Sequence, residues 1–196
     1  MNHIAQSLSL KYKGERDYLH GTDIISALLD ITGSIKKMSI RFHKNVSKNL
    51  IVHFIDLESL EQFRLSNEIC VLMSYQKSGD MKIAVATEGS ENINERLEYN
   101  EEDVVINSEI YGHKIIQDKP DFGSLIERIV ALNKKLLNNL YENKSWFFTQ
   151  IDLDEYYVNT VKLTIEFDRS IGGLMYKTIL YVDEKKAGSI IFSRNK

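Results

Sequence analysis

The stretch SLIERIVALNKKLLNNLY, residues 124–141, decides the fold. Leu125, Ile129, Leu132, Leu136 and Leu140 recur at helical spacing, and Ile126, Val130 and Leu137 widen that stripe. So broad an apolar face belongs to a helix buried against a core, not to a narrow coiled-coil seam. Ser124 and Glu127 stand three apart, the spacing of a capping box in which hydroxyl and carboxylate each satisfy a first-turn amide. Asp121 is a rival cap, and the spacing predicts a helix over 122–141. Such a helix cannot stand alone in water and needs a covering layer.

The flanking sequence supplies that layer as strands. Residues 104–117, 146–153, 159–171, 174–182 and 188–194 read as strands, with Gly172-Gly173 forming a tight hairpin turn. Upstream, Leu8, Leu10 and Tyr12 alternate with polar residues over 7–13, which predicts a half-buried strand. Thr22 is placed to cap a short helix whose face is Ile24, Ile25, Leu28, Leu29 and Ile31, and Gly33 ends it. A hairpin is expected from 38–43 and 50–55 about a turn at 45–49. A surface helix after Asp56 is expected to point Leu57, Leu60 and Phe63 inward. A second hairpin is expected from 69–76 and 81–88 about Lys77-Ser78-Gly79-Asp80. Residues 88–103 carry seven carboxylates against one arginine, Arg96, and read as a solvated acidic join.

The two halves therefore repeat one order: strand, helix, then antiparallel strands. That order resembles the hot-dog fold, in which an antiparallel sheet wraps a central helix. The resemblance implies an α+β chain of two hot-dog-like repeats, residues 1–98 and 99–196, each a central helix packed on an antiparallel sheet. Hot-dog domains normally pair, so one chain holding two is a double hot dog, and further pairing into a homodimer is open.

Composition narrows the function. The 196 residues are 43% hydrophobic and 27% charged, with net charge -3, which gives no general attraction for nucleic acid. Trp146, Phe147, Phe148, Tyr156 and Tyr157 read as packing aromatics, not as a base-stacking platform. No apolar run approaches the roughly 20 residues that span a bilayer, and Met1–Leu10 lacks a secretory pattern. Cys70 is the only cysteine and reads as a buried strand thiol, so the expected compartment is cytoplasmic. Phosphate loops, nucleophile elbows and His-Glu-x-x-His zinc motifs are absent from the sequence. His43 and His53, on the two arms of the expected hairpin, read as a surface pair, and no metal site or cofactor is expected.

One local pattern carries chemistry. In Tyr18-Leu19-His20-Gly21-Thr22-Asp23 a histidine and a glycine stand just before a helix start. Helix N-termini present free amides and partial positive charge to carbonyl or anionic oxygens, and glycine lets a ligand approach the backbone. An acid on the same helix can then serve as base. Here the resemblance extends to hot-dog thioesterases, many of which carry His-Gly-Gly before the central helix and an acid upon it. His20 and Gly21 match the first two positions, Thr22 replaces the second glycine, and Asp30 falls about one residue beyond the usual acid.

Hot-dog dehydratases instead pair a loop histidine with an acid on the partner helix. That makes His20 the base and Glu127 the candidate acid, although Glu127 departs from the usual spacing. The resemblance thus implies a thioesterase or 3-hydroxyacyl dehydratase of fatty acid or polyketide metabolism, acting on acyl-CoA or acyl carrier protein. His20, Asp30, Asp23 and Glu127 are the catalytic candidates, and Gly21 and Thr22 the substrate-binding ones. The second half has Asp121-Phe122-Gly123 where the first has His-Gly, so one asymmetric site is expected. Each acid also has an ordinary role: Asp23 complements the helix dipole, Glu127 caps, and Asp30 faces solvent. The alternative is a non-catalytic ligand-binding or protein-interaction module of the same fold.

Overall fold

The computed structural model describes residues 4–33, 35–118, 122–142, 145–155 and 162–194. His3, Asp121, Tyr156 and Tyr157 lie outside the described residues. The chain forms two compact units, residues 1–99 and 100–196.

The first unit runs β1 (Ile4–Leu8), β2 (Tyr12–Lys13), α1 (Gly21–Thr32), β3 (Lys36–Phe42), β4 (Lys48–Ile55), a 3-10 turn (Leu57–Ser59), α2 (Leu60–Ser66), β5 (Val71–Lys77), β6 (Asp80–Asn92) and β7 (Arg96–Leu97). Its antiparallel strand order is β1-β4-β6-β5-β3. Period-two burial explains the strands: Val71, Met73 and Tyr75 are buried on β5, and Met38, Ile40 and Phe42 on β3. Helix α1 buries Thr22, Ile24, Ile25, Leu28, Leu29 and Thr32. Lys77 on β5 donates to the Thr32 carbonyl at 2.5 Å and ties the helix end to the sheet. Gly33 takes φ +70° and ends the helix as expected.

Several local expectations are corrected. β3 and β4 do not form a hairpin: β3 pairs with β5, while β4 pairs with β1 and β6. His43 and His53 therefore do not face each other across one, and His53 packs on Phe63 with ring centroids 5.0 Å apart. The first strand ends at Leu8, and Leu10 instead donates its amide to the Asn49 side chain at 3.0 Å. Leu57 lies in the 3-10 turn and is 67% exposed, while Leu60 is buried and Phe63 half-buried. Cys70 is fully buried, which pushes its thiol up.

The second unit runs α3 (Glu101–Val104), β8 (Ser108–Tyr111), β9 (Lys114–Asp118), α4 (Leu125–Tyr141), β10 (Trp146–Glu155), β11 (Lys162–Ile171), β12 (Met175–Val182) and β13 (Lys185–Arg194). Its order is β10-β13-β12-β11-β9-β8. The single strand expected over 104–117 is a helical turn followed by the β8–β9 hairpin, because residues 112–113 turn the chain back. Helix α4 has its capping box: the Ser124 hydroxyl accepts from the Glu127 amide at 3.3 Å, and Glu127 Oε2 accepts from the Ser124 amide at 2.8 Å. Its stripe is buried through Leu137, with Leu140 partly exposed.

Polar bonds fix α4 on its sheet. Arg128 Nε donates to Gln117 Oε1 on β9 at 2.8 Å, and Gln117 Nε2 donates to the Val104 and Ile106 carbonyls. Thr178 on β12 donates to Asn133 Oδ1 at 2.7 Å. Gly188 permits close strand approach, since a Cβ there would collide with the Asp152 carbonyl oxygen. No helix among the described residues is long and apolar enough to cross a membrane.

Leu132 is fully buried on α4. Leu132→Ala is expected to cost about 2–5 kcal/mol through lost burial and a residual cavity. Urea unfolding should show a lower midpoint at unchanged slope.

Candidate functional site

The entry to α1 is built from three distant segments of the first unit. Helix formation begins at Gly21, two residues before the start that a Thr22 cap predicts. His20 is the N-cap, with extended backbone (φ -69°, ψ 127°) and its carbonyl accepting from the Asp23 and Ile24 amides. Thr22 lies inside the first turn, fully buried, and its Oγ1 stands 2.7 Å from His20 Nδ1. That contact orients the imidazole. In the tautomer whose Nδ1–H donates to Thr22, Nε2 is the basic nitrogen. His20 is 7% exposed, and its ring lies 5.2 Å from that of Tyr99, tilted by 53°.

Asp23, in the first turn, meets Lys13 Nζ at 2.6 Å, and both side chains are largely shielded from solvent. Lys13 comes from β2, which pairs in parallel with β7 through Tyr12–Arg96 and Lys13–Leu97. Arg96 donates to the Gly14 and Arg16 carbonyls and stacks on the Tyr12 ring at 5.2 Å. Lys13 and Arg16 lie 5.1 and 5.8 Å from the Tyr99 ring centre. The lone arginine of the acidic stretch thus clamps the loop leading to His20.

The 43–47 turn supports this entry from the other side. Leu19 donates its amide to the Val46 carbonyl at 2.7 Å, and Tyr12 donates its hydroxyl to the Ser47 carbonyl at 2.7 Å. Glu88 on β6 shapes that turn by accepting from the Ser47 amide at 2.7 Å, the Ser47 hydroxyl at 3.2 Å and Lys44 Nζ at 3.0 Å. Burial acts to raise the Glu88 carboxyl, but these donors outweigh it and hold it below the usual carboxylate range. The acidic join is therefore not uniformly solvated: Glu88 is engaged, Ile93 is buried, and Glu101 pairs with Lys134 at 2.6 Å.

The structure brings His20, Gly21, Thr22 and Asp23 together at one helix end. It does not bring Asp30 there. Asp30 is exposed, ten residues beyond His20, which the helix rise converts to about 15 Å along the axis. Glu127 belongs to the second unit and is engaged in its capping box.

No protein-family model and no curated protein sequence matches this chain. Solved structures do. An acyl-ACP thioesterase from Bacteroides thetaiotaomicron superposes with a TM-score of 0.51 at 8% identity, covering 98% of each chain. The dehydratase domain of PpsC from Mycobacterium tuberculosis, in complex with C12:1-CoA, superposes with a TM-score of 0.51 at 8% identity, covering 98% of this chain and 93% of that one. Both are hot-dog proteins. The fold is a hot-dog fold. At 8% identity the likeness is one of fold alone.

Within this hot-dog chain, sequence reasoning missed Lys13 and Tyr99. Lys13 reaches Asp23 from β2, and Tyr99 meets the His20 ring just beyond β7, two-residue strands too short to show a periodicity. The available signal was Arg96, a single cation among carboxylates.

Because the folded Glu88 carboxyl is depressed, its stabilisation is present above the unfolded carboxylate range, about 4.3, and is lost as pH falls through the folded value. Glu88→Gln is expected to cost on the order of 1 kcal/mol at pH 7. Urea midpoints of the two proteins should converge between pH 5 and pH 3. A difference constant with pH would assign the loss to packing instead.

Proposed function

We propose that the chain is an acyl-thioester enzyme, a thioesterase or 3-hydroxyacyl dehydratase, acting on acyl-CoA or acyl carrier protein. On this reading the units are two hot-dog-like repeats with one asymmetric site at the α1 entry. The observation that carries the reading is a shielded, Thr22-oriented imidazole at the N-terminus of an apolar helix, beside an Asp23–Lys13 pair. The fold is shared with an acyl-ACP thioesterase and a dehydratase domain, which supports the same class. The second unit has Ser124 and Glu127 at its helix start and no histidine there.

In hydrolysis the thioester carbonyl oxygen faces the Gly21 and Thr22 amides in the first turn of α1, which stabilise charge as it develops. His20, or Asp23 as the nearby carboxylate, takes a proton from water as its oxygen attacks the carbonyl carbon. The carbon–sulfur bond breaks, and the thiolate leaves with that proton. In dehydration His20 removes the α-proton of a 3-hydroxyacyl thioester, and an acid protonates the departing hydroxyl, which leaves as water. Asp23 sits nearer to His20 in the helix than Asp30 does.

One observation favours the second reading, a ligand-binding module without turnover: His20 is 7% exposed with its ring against Tyr99. Assays over acyl-CoA chain lengths, with hydrolysis and hydration read separately, decide between them. His20→Ala is expected to lower kcat/KM by about 10²–10⁴, with Asp23→Ala also impaired. Turnover unchanged in both variants removes the mechanism, and saturable acyl-CoA binding without turnover selects the module.

A further inference from the structure

Away from the α1 entry, the first unit has a cleft of ≈ 320 Å³ lined by His43, Lys44, Arg64, Asn67, Glu68 and Ile69. Nothing in the His20 chemistry uses it. It lies between the 43–47 turn and the end of α2. Its polar lining is dominated by donors: an imidazole, an ammonium, a guanidinium and a carboxamide, with Glu68 the one carboxylate.

The cations are held differently. Lys44 is anchored by Glu88 Oε2 at 3.0 Å, while Oε1 of the same carboxylate holds the Ser47 turn. Glu68 contacts the same ammonium at 3.0 Å, but its side chain is 77% exposed. Arg64 pairs at 3.1 Å with Glu61, whose side chain is 80% exposed. Exposed pairs of this kind are weak, screened and readily exchanged. An incoming anion can displace Glu68 from Lys44 and draw Arg64 inward while Glu88 keeps the ammonium in place. Burial, then the positive charges of Arg64 and Arg41, push the His43 imidazole down.

The geometry points to an anion site in this cleft, in which Arg64 and Lys44 hold a phosphomonoester dianion, His43 adds a hydrogen bond, and Glu68 is the competitor it displaces. Arginine offers paired N–H groups that match phosphate oxygens, and lysine serves as the point charge. The site stands independently of the acyl-thioester reading. Two sources share its chemistry: free phosphate, and the 3′-phosphate of a coenzyme A. The second has a structural rationale, since the turn bearing His43 and Lys44 also bears Val46, which holds Leu19 next to His20.

Calorimetric titration of the whole chain with inorganic phosphate, CoA and dephospho-CoA, at fixed low ionic strength, tests it. Arg64→Gln is expected to weaken phosphate binding about tenfold, the worth of one charge-assisted hydrogen bond. Glu68→Gln should tighten it, and Lys82→Gln, a remote lysine on β6, should leave it unchanged. The imidazole signals of His43 should shift on phosphate addition. Both tested side chains are exposed, so each variant serves if the other fails to fold.

Phosphate and CoA responding alike, with dephospho-CoA blind to Arg64→Gln, would support the site with CoA as the source. Phosphate responding while neither CoA form senses Arg64 would support it with free phosphate as the source. Phosphate that does not bind, or binding indifferent to both Arg64→Gln and Glu68→Gln, would overturn it. Thioester turnover is not a readout here, so this failure and failure of the His20 mechanism remain distinguishable.

Discussion

Two helices too apolar for water set the terms for everything else in this chain. Helix α4 is buried along most of its length, and α1 buries six of its twelve residues. Each needs a sheet, and each unit supplies antiparallel strands whose alternate residues are buried. Burial then constrains polar groups. Arg128, Asn133, Thr178 and Gln117 are buried, and the Arg128–Gln117 and Thr178–Asn133 bonds run between α4 and strands β9 and β12. Those bonds fix the helix in one register on its sheet, where apolar contact alone leaves sliding cheap.

The helix entry of the first unit follows from the same burial. With α1 sunk into its core, the chain must descend to reach Gly21, and it does so through a loop clamped by Arg96 and the Val46 carbonyl. That descent shields His20 and brings Lys13 to Asp23. The second unit enters α4 differently, through a Ser124–Glu127 capping box that satisfies the first-turn amides internally. The strand orders differ too. In the first unit β5 lies between β3 and β6, whereas in the second β11, β12 and β13 form a meander with β13 beside β10. The units share an order of elements without sharing one topology.

What was legible in the sequence was local. Helical spacing located α4, its capping box and the Gly33 stop. Alternation located most strands, and Gly172-Gly173 marked a turn in which both residues take positive φ. What was hidden was pairing. Residues 38–43 and 50–55 look like hairpin arms, yet partner choice depends on strands far along the chain, and β5 and β6 separate them. Leu57 looked like a core residue because helical spacing was assumed across a segment that begins as a 3-10 turn. At the candidate site, the run from His20 to Asp23 was readable, whereas Lys13 and Tyr99 arrive through tertiary contacts with no local pattern. Asp30 illustrates the converse: its position in the sequence came within about one residue of a family pattern, while the helix carries it toward solvent and away from His20.

The most direct test of the α1 entry as an acyl-thioester site is the imidazole spectrum of nitrogen-15-labelled protein, titrated with a non-hydrolysable acyl-pantetheine thioether. The expected result is a saturable shift of the His20 ring signals, abolished in Thr22→Val, where the hydroxyl that orients the ring is gone. His20 signals that stay fixed while the analogue binds elsewhere would contradict it.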